Sequence, residues 1–455
     1  MKEKQPVIAV FDIGKTNKKL LVFDAHYRVL REDIISFPEL KDEDGFPCED
    51  IDALSKWMLQ QVGALKHDGG YELNAINFAT YGASMIYLDE DGKRVAPLYN
   101  YLKPYPPDLL KRFESLYNTD NQVSLDTASP LMGHLNAGLQ LYWLKNEKPD
   151  LYKKTSTALH LPQYLSNLLT GKLHSERSIL GCHTAMWNIR ENRYHPWLEM
   201  EGLDHLLPPV ILGNETFSYI AGPSTITVGP GLHDSSSAMI PYLQSFDGTF
   251  VILSTGTWSI SLNPFNNDLP DRQELESGCL SYLRYTGEPV KVSRLFAGYD
   301  HDLQVKRIAS HFQLQTDFAK ELQYDPLLAK YTMNNLIGEN TADTNDHCVF
   351  HKRDISSFSS AAQAYHQLIA DMVKRQLVST QLVMPYDTAK HLYVDGGFSK
   401  NEIYMRMLSQ QFPGVEVRSS SMVQGTALGA ALAIHSSWNE EAIPKDLVTL
   451  KSWNS

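Results

Sequence analysis

Two carboxylates in this chain, Asp12 and Asp234, have neighbours that suggest chemistry. Asp12 ends an apolar run, Val7–Phe11, and opens the turn Asp12-Ile13-Gly14-Lys15-Thr16-Asn17. A carboxylate there can hold Mg²⁺ through water, because Mg²⁺ keeps much of its hydration shell. Taken alone, the position suits a turn-forming Asp even better. Asp234 lies in Gly231-Leu232-His233-Asp234-Ser235-Ser236-Ser237-Ala238, where a helix is expected to begin. The helix dipole would favour its ionised form, and a fixed carboxylate can take the proton of an attacking hydroxyl. It also fits an N-cap, and spacing alone puts the cap ahead. His233 beside it reads first as a packing or hydrogen-bonding residue. Glycine turns follow strand-like runs at Gly14, at Gly256 and at Gly396-Gly397. Without a Cβ, backbone N–H groups approach oxyanions closely. One such turn is a common hairpin; three, each with Ser or Thr nearby, point to a phosphate clamp. Phosphoryl transfer needs little more: held phosphates, Mg²⁺ and a proton acceptor.

The elements that must position these groups follow from the apolar pattern. Val7–Phe11 and Leu20–Phe23 flank the first turn and read as a hairpin. Side chains alternate along a strand, so only one of Lys18 and Lys19 is expected to face the site. The strand-like run Thr249–Ser254, the turn Thr255-Gly256-Thr257 and the run Trp258–Leu262 repeat the same opening. This weak internal repeat implies duplicated architecture. Asn74–Thr80 and His391–Val394 read as further strands, and Leu135–Asn146 and Leu161–Leu169 as helices. Gly425–Ala433 reads as a helix whose backbone packs closely on a neighbour. The apolar pattern breaks at Gln244–Gly248, which sets the expected domains at 1–245 and 246–455.

With 455 residues the chain exceeds one ordinary core, so two domains are expected. A formal net charge of −12 argues against a nucleic-acid binder but allows a local phosphate pocket. Cys48, Cys182, Cys279 and Cys348 form no CxxC pair and read as reduced packing residues. No signal peptide and no membrane-length apolar run is seen, so the expected compartment is the cytoplasm.

Together these segments resemble the FGGY family of carbohydrate kinases, over nearly the whole chain and in the family's order. Asp12–Lys19 resembles its first phosphate motif, and Gly231-Leu232-His233-Asp234 the segment that carries its catalytic Asp. Ser254-Thr255-Gly256-Thr257-Trp258 resembles the phosphate turn opening the second domain. Asp395-Gly396-Gly397-Phe398-Ser399-Lys400-Asn401 resembles the adenosine motif, and Gln424–Ala431 the late small-residue helix. The resemblance implies an α/β fold of two actin-like (ribonuclease H-like) domains flanking an ATP cleft. It implies an enzyme using ATP and Mg²⁺, with Asp234 as general base and Asp12 placing the metal. Gly14, Thr16, Lys19, Thr255, Gly256 and Thr257 would serve the phosphates, and Gly396, Gly397 and Asn401 would lie near adenosine. Lys15 stands where the family has a small residue; it either adds a phosphate contact or points away.

The stretch Thr80-Tyr81-Gly82-Ala83 and the helix around Gln163 resemble the sugar-facing parts of the deoxy-ketose kinases. Tyr81, Gly82, Gln163, His233 and Asp234 would then contact the sugar, with L-rhamnulose or L-fuculose as the preferred substrate. A pentulose or glycerol substrate is the alternative within the family. A non-catalytic sugar and nucleotide sensor, or a chaperone-like ATPase, are the alternatives outside it. The implied partners are sugar and ATP, with neither nucleic acid nor membrane; a homodimer is compatible with this reading.

Overall fold

A computed structural model describes residues 4–222, 224–336, 348–384, 389–422 and 424–453. The chain divides into two compact units. The first comprises Met1–Phe246, Ser281–Pro289 and Gln424–Leu447; the second comprises Asp247–Leu280, Val290–Val423 and Val448–Ser455. The chain therefore crosses between units more often than a single cut after residue 245 would allow.

In the first unit β1 (Gln5–Ile13), β2 (Lys18–Asp24) and β3 (Val29–Ile35) form an antiparallel meander. β4 (Tyr71–Thr80) lies parallel on the other side of β1. Beyond it come β5 (Phe217–Ala221) and β6 (Ser224–Val228), in the spatial order β5-β6-β4-β1-β2-β3. A short strand, β7 (Leu232–His233), pairs with the C-terminal end of β4. β1 is central and covered on both faces, which is why it reads as a continuous apolar run and not as an alternating one. On one face Val7, Ala9, Phe11 and Ile13 pack with Phe78 and with Leu54, Trp57 and Met58 of the helix Ile51–Lys66. Asp50 caps that helix by accepting the Ala53 N–H at 2.9 Å.

The small-residue helix Gly425–Ala433 packs on β1, on β4 and on the Asp234–Ala238 helix, all within the first unit. The close approach expected of it is seen at Gly429, where a Cβ would lie 1.8 Å from the carbonyl oxygen of Ser237. Ser237 also donates its hydroxyl to Thr426 O at 2.8 Å, and Asn77 its amide to Ala430 O at 2.7 Å.

The second unit repeats the plan. β8 (Phe250–Thr255) pairs antiparallel with β9 (Ser259–Asn263), and β9 with β10 (Pro289–Leu295). β11 (His391–Gly396) lies parallel to β8, followed by β12 (Glu416–Ser420) and β13 (Leu450–Ser452). The long helix Ala361–Val383, capped by Ser360, buries Leu368, Ile369 and Met372 against Val251 and Leu253 of β8. The four cysteines are buried and form no disulfide. No helix among the described residues is long and apolar enough to cross a membrane.

Candidate active site

The first unit gathers the ionisable groups. Asp12 on β1 stands opposite Lys19 on β2 in the antiparallel register. Burial pushes the Asp12 carboxyl up to about 6, against the pull of the Lys19 ammonium, and the charge of Asp234 pushes in the same direction. Asp12 thus feels the opposed charges of Lys19 and Asp234. The turn between them is closed by Gly14 N–H donating to Asn17 O at 3.0 Å, with Thr16 exposed at its tip.

The other two lysines of this turn are committed elsewhere. Lys18 is buried and pairs with Glu49 at 2.8 Å. Lys15 points away from Asp12, to Glu39 at 3.1 Å and to Glu49 at 3.4 Å. Glu49 also accepts the Tyr81 hydroxyl at 2.6 Å. Of the lysine pair at 18 and 19, Lys19 is therefore the one beside Asp12. Glu49 is a loop residue with no local sequence signature, and only the fold reveals that it takes these partners.

Asp234 is reached through β7, whose Leu232 and His233 pair with Ala79 and Thr80 of β4. It is the first residue of a five-residue helix whose N-cap is His233, so the N-cap reading of Asp234 is corrected. Its Oδ1 accepts the Ser235 N–H at 2.5 Å and the Ser235 hydroxyl at 3.2 Å. Burial raises its carboxyl above the usual range, the Ser235 bonds and nearby His183 opposing. Dipole stabilisation, expected to hold the group at its ordinary value, is outweighed by desolvation. The side chain is nonetheless 35% exposed, which lets a substrate reach it. His233 is 3% exposed, and burial lowers its imidazole to about 3. It is therefore neutral at physiological pH, and its Nε2 contact with Asp234 at 3.2 Å is a neutral hydrogen bond and not an ion pair.

Two glycines and two amides hold this segment. Gly231 has a φ of +82°, and a Cβ there would come within 2.6 Å of Pro162. Its N–H donates to Asn77 Oδ1 at 3.1 Å. Gln163, wholly buried, donates its amide to Pro230 O at 3.1 Å and to Gly231 O at 2.8 Å. It thus sits beneath the loop that presents His233 and Asp234. Gly82 faces Cys182 and His233; a Cβ would lie 2.3 Å from Cys182 Sγ. The Tyr81 ring stands 5.9 Å from that of Tyr101, whose hydroxyl in turn feels the charge of Asp234. Cys182, read from sequence as a packing residue, lies in this neighbourhood with Tyr101, and so do His183 and Tyr282, which the sequence did not single out.

The second unit supplies a pocket of mixed polar, charged and apolar lining. A cavity of about 880 Å³ is lined by Thr255, Gly256, Thr257, Gly397 and Asn401, together with residues 298–302 and 319–323 in part. Gly256 N–H closes the turn onto Trp258 O at 2.9 Å. The Thr255 hydroxyl is engaged by Asp395 O and by the Phe398 N–H at 3.0 Å, so it braces the turn. Gly396, at φ +85°, is required where β11 passes β8: a Cβ would lie 1.9 Å from Thr255 O. Asn401 accepts the Tyr404 N–H at 3.1 Å as the cap of the Glu402–Gln411 helix and donates to the Tyr365 hydroxyl at 2.7 Å. Gly298, Tyr299, His301 and Asp302 line the same cavity. Their signal was the Ala-Gly pair at 297–298, which permits a close approach: a Cβ on Gly298 would lie 1.9 Å from Gly256 O.

Comparison with known proteins accords with both halves. Residues 7–240 match the N-terminal domain of the FGGY family of carbohydrate kinases, and residues 247–442 match the carbohydrate kinase FGGY C-terminal domain. A rhamnulokinase of Halalkalibacterium halodurans is 26% identical over 262 residues, 55% of this chain and 54% of its own length. The chain thus spans about half the length of the first curated relatives it matches. A probable L-xylulose kinase of Pasteurella multocida is 24% identical over 467 residues, 95% of this chain and 90% of the relative. A carbohydrate kinase from Novosphingobium aromaticivorans has the same fold, with a TM-score of 0.79 at 20% identity over 99% of this chain and 94% of that one. Two sheet-centred units of actin-like type, each opened by a strand, a glycine turn and an antiparallel strand, and each matched by its own family model, lead to one conclusion: the chain belongs to the FGGY family of carbohydrate kinases.

Proposed function

We propose that this chain transfers the γ-phosphoryl group of ATP to a hydroxyl of a small sugar, with the sugar and the general base in residues 1–245 and the nucleotide in residues 246–455. The observation that carries this reading is Asp234: a carboxylate raised by burial, fixed by Ser235 and His233, and still open on one side. A base with a raised pKa takes a proton more readily than an ordinary Asp. As the sugar oxygen bonds to the γ-phosphorus, its proton passes to Asp234 and the bond from that phosphorus to the bridging oxygen breaks, releasing ADP. Asp12 is the residue to hold Mg²⁺ through water; two desolvated carboxylates, with Lys19 beside Asp12, offer hard oxygen donors that suit that ion. When bound, Mg²⁺ would offset the charge on the transferring phosphates. Lys19, Gly14 and Thr16 serve the phosphates from the first unit. Thr255, Gly256 and Thr257 serve them from the second, with Gly396, Gly397 and Asn401 beside the adenosine. The cytoplasm is the compartment this chemistry suits, since ATP is supplied there.

A deoxy-ketose such as L-rhamnulose or L-fuculose is the substrate this reading prefers. Tyr81, Gly82 and His233 would face the sugar, and Gln163 would set the loop that carries the base. The relatives named rhamnulokinase support it. A pentulose is the second reading, favoured by the L-xylulose kinase relative that matches 95% of this chain. A coupled assay of ADP release across L-rhamnulose, L-fuculose, L-xylulose, D-xylulose, glycerol and gluconate tests both. Highest kcat/KM with a 6-deoxy-ketulose supports the first; highest with a pentulose replaces it by the second. ATP binding without turnover on any of them would make the chain a sensor.

A further inference from the structure

Next to Asp234, Cys182 and His183 stand against His233 without a task in phosphoryl transfer. The Arg177–Leu180 helix runs into Gly181-Cys182-His183, and this turn lies against His233. Cys182 Sγ and one ring nitrogen from each of His183 and His233 all lie within 4.8 Å of one another. His183 has a φ of 43°, in the left-handed region that few non-glycine residues occupy. Such backbone is kept where the surroundings demand it. Here it turns the His183 ring toward those of His233 and Tyr282, each 6.2 Å away between centroids.

Both imidazoles are oriented through Nδ1. His183 Nδ1 lies 3.0 Å from Leu135 O, and His233 Nδ1 lies 3.2 Å from Ser236 Oγ. A carbonyl oxygen only accepts, so His183 Nδ1 carries the proton and Nε2 the lone pair. Anchoring one ring nitrogen to present the other is how ligating histidines are commonly held. Gly82 makes the close approach possible: its missing Cβ would lie 2.3 Å from Cys182 Sγ and 3.4 Å from His233 Nε2. One sulfur and two imidazole nitrogens form a borderline-soft set suited to Zn²⁺ and unsuited to Mg²⁺.

We propose that Cys182, His183 and His233 form a binding site for a thiophilic divalent cation of the zinc class. Asp234 Oδ1 lies 3.2 Å from His233 Nε2, at the edge of the three donors and not among them, so water would supply the fourth ligand. The half-exposed faces of His183 and Asp234 offer the way in. As the metal binds, the thiol proton passes to solvent, the Nε2 proton of neutral His233 is replaced by one on Nδ1 facing Ser236 Oγ, and no electron is transferred. A cation so placed sets a positive charge beside Asp234 and lowers its basicity, so its binding inhibits phosphorylation. The inhibition rests on the function proposed above; the binding does not.

Chain stripped with a chelator and kept under a non-thiol reductant is titrated with Co²⁺, then with Zn²⁺ in competition. The wild type is expected to take up a single ion and to show a thiolate-to-cobalt charge-transfer band that Zn²⁺ abolishes. Cys182→Ser should lose the band, and both Cys182→Ser and His183→Asn should bind at least about 10-fold more weakly. Asn is chosen at 183 because it tolerates the left-handed backbone. Thermal melting verifies the fold of each variant, and if Cys182→Ser does not fold, His183→Asn decides. No uptake by the wild type, or wild-type uptake in a folded variant, overturns the site. Uptake by a chain that phosphorylates no sugar supports the site and sinks the proposed function. Turnover unchanged with Zn²⁺ bound overturns the inhibition.

Discussion

The turns after β1 and β8 are the same backbone device carrying different chemistry. In each, a strand end pairs antiparallel across a glycine turn and parallel with a third strand. Ile13 pairs with Lys18 and Thr80, and Thr255 pairs with Ser259 and Gly396. The residue before each is Asp12 in one unit and Ser254 in the other. The first turn closes from Gly14 to Asn17, and the second is one residue tighter, from Gly256 to Trp258. The first therefore presents a carboxylate opposed by Lys19, whereas Ser254-Thr255-Gly256-Thr257 contains no ionisable side chain and offers hydroxyls and backbone N–H groups. The two units thus share one turn plan, with an ionisable carboxylate in the first turn and none in the second. This division suits a reaction in which metal and base act at one ligand while the other is merely held.

Replacing Asp234 should break the comparison most strongly. Asp234→Asn keeps the acceptor for the Ser235 N–H but removes the base, so kcat should fall by about 10²–10⁴. Because Asp234 is not at the N-cap position and Asn keeps the Ser235 N–H acceptor, the melting temperature should stay near that of the wild type. A folded variant with near-full turnover would return Asp234 to a structural role.

Asp12→Asn should cost less in rate and should raise the Mg²⁺ concentration needed for half-maximal turnover, leaving sugar affinity nearly unchanged. The same residue predicts a pH dependence. Its carboxyl, at about 6 in the free chain, must be ionised to attract the metal. Turnover at limiting Mg²⁺ should therefore fall as pH drops through about 6, well above the ordinary Asp range. Added Mg²⁺ should move that limb to lower pH, because the cation favours the ionised form. An acid limb that ignores Mg²⁺ would argue against Asp12 as the metal residue.

In the second unit the sensitive feature is backbone, not charge. Gly396→Ala puts a Cβ 1.9 Å from Thr255 O at a φ of +85°, so β8 and β11 must shift. A loss of about 1–3 kcal/mol is expected on denaturant unfolding, with weakened ADP binding by calorimetry. Wild-type ADP affinity in this variant would mean that neither Gly396 nor the Thr255 turn it abuts contacts the nucleotide.

The smallest effect should come from Lys15→Ala. Its partners Glu39 and Glu49 lie at 3.1 and 3.4 Å, and its own side chain is 23% exposed. Loss of the pair should cost less than about 1 kcal/mol, and KM for ATP should hardly change. A large rise in that KM would place Lys15 at the phosphates after all.

Much of this was legible in the chain alone. Hairpins, glycine turns and the buried strands β1 and β8 follow from local pattern, because apolar period and turn chemistry act over a few residues. The order of the segments was enough to suggest the family. Spacing alone favoured Asp234 as the N-cap, whereas it is the first residue of the helix, since a one-residue shift at a helix start leaves no mark on composition.

What the chain by itself determined, then, is which segments become strand, turn and helix, and which residue types sit at their ends. Tertiary structure alone decided who meets whom. It set the helix Gly425–Ala433 against Ser237, some 190 residues earlier, so that the last small-residue segment braces the helix bearing Asp234. It gave Lys15 and Lys18 to Glu49, leaving Lys19 to Asp12. It brought Cys182 and His183 beside His233. Each of these is a contact between residues far apart in sequence, settled by which apolar faces bury against one another. No local propensity encodes that pairing, because the energy that selects it exists only once the sheets and helices have packed.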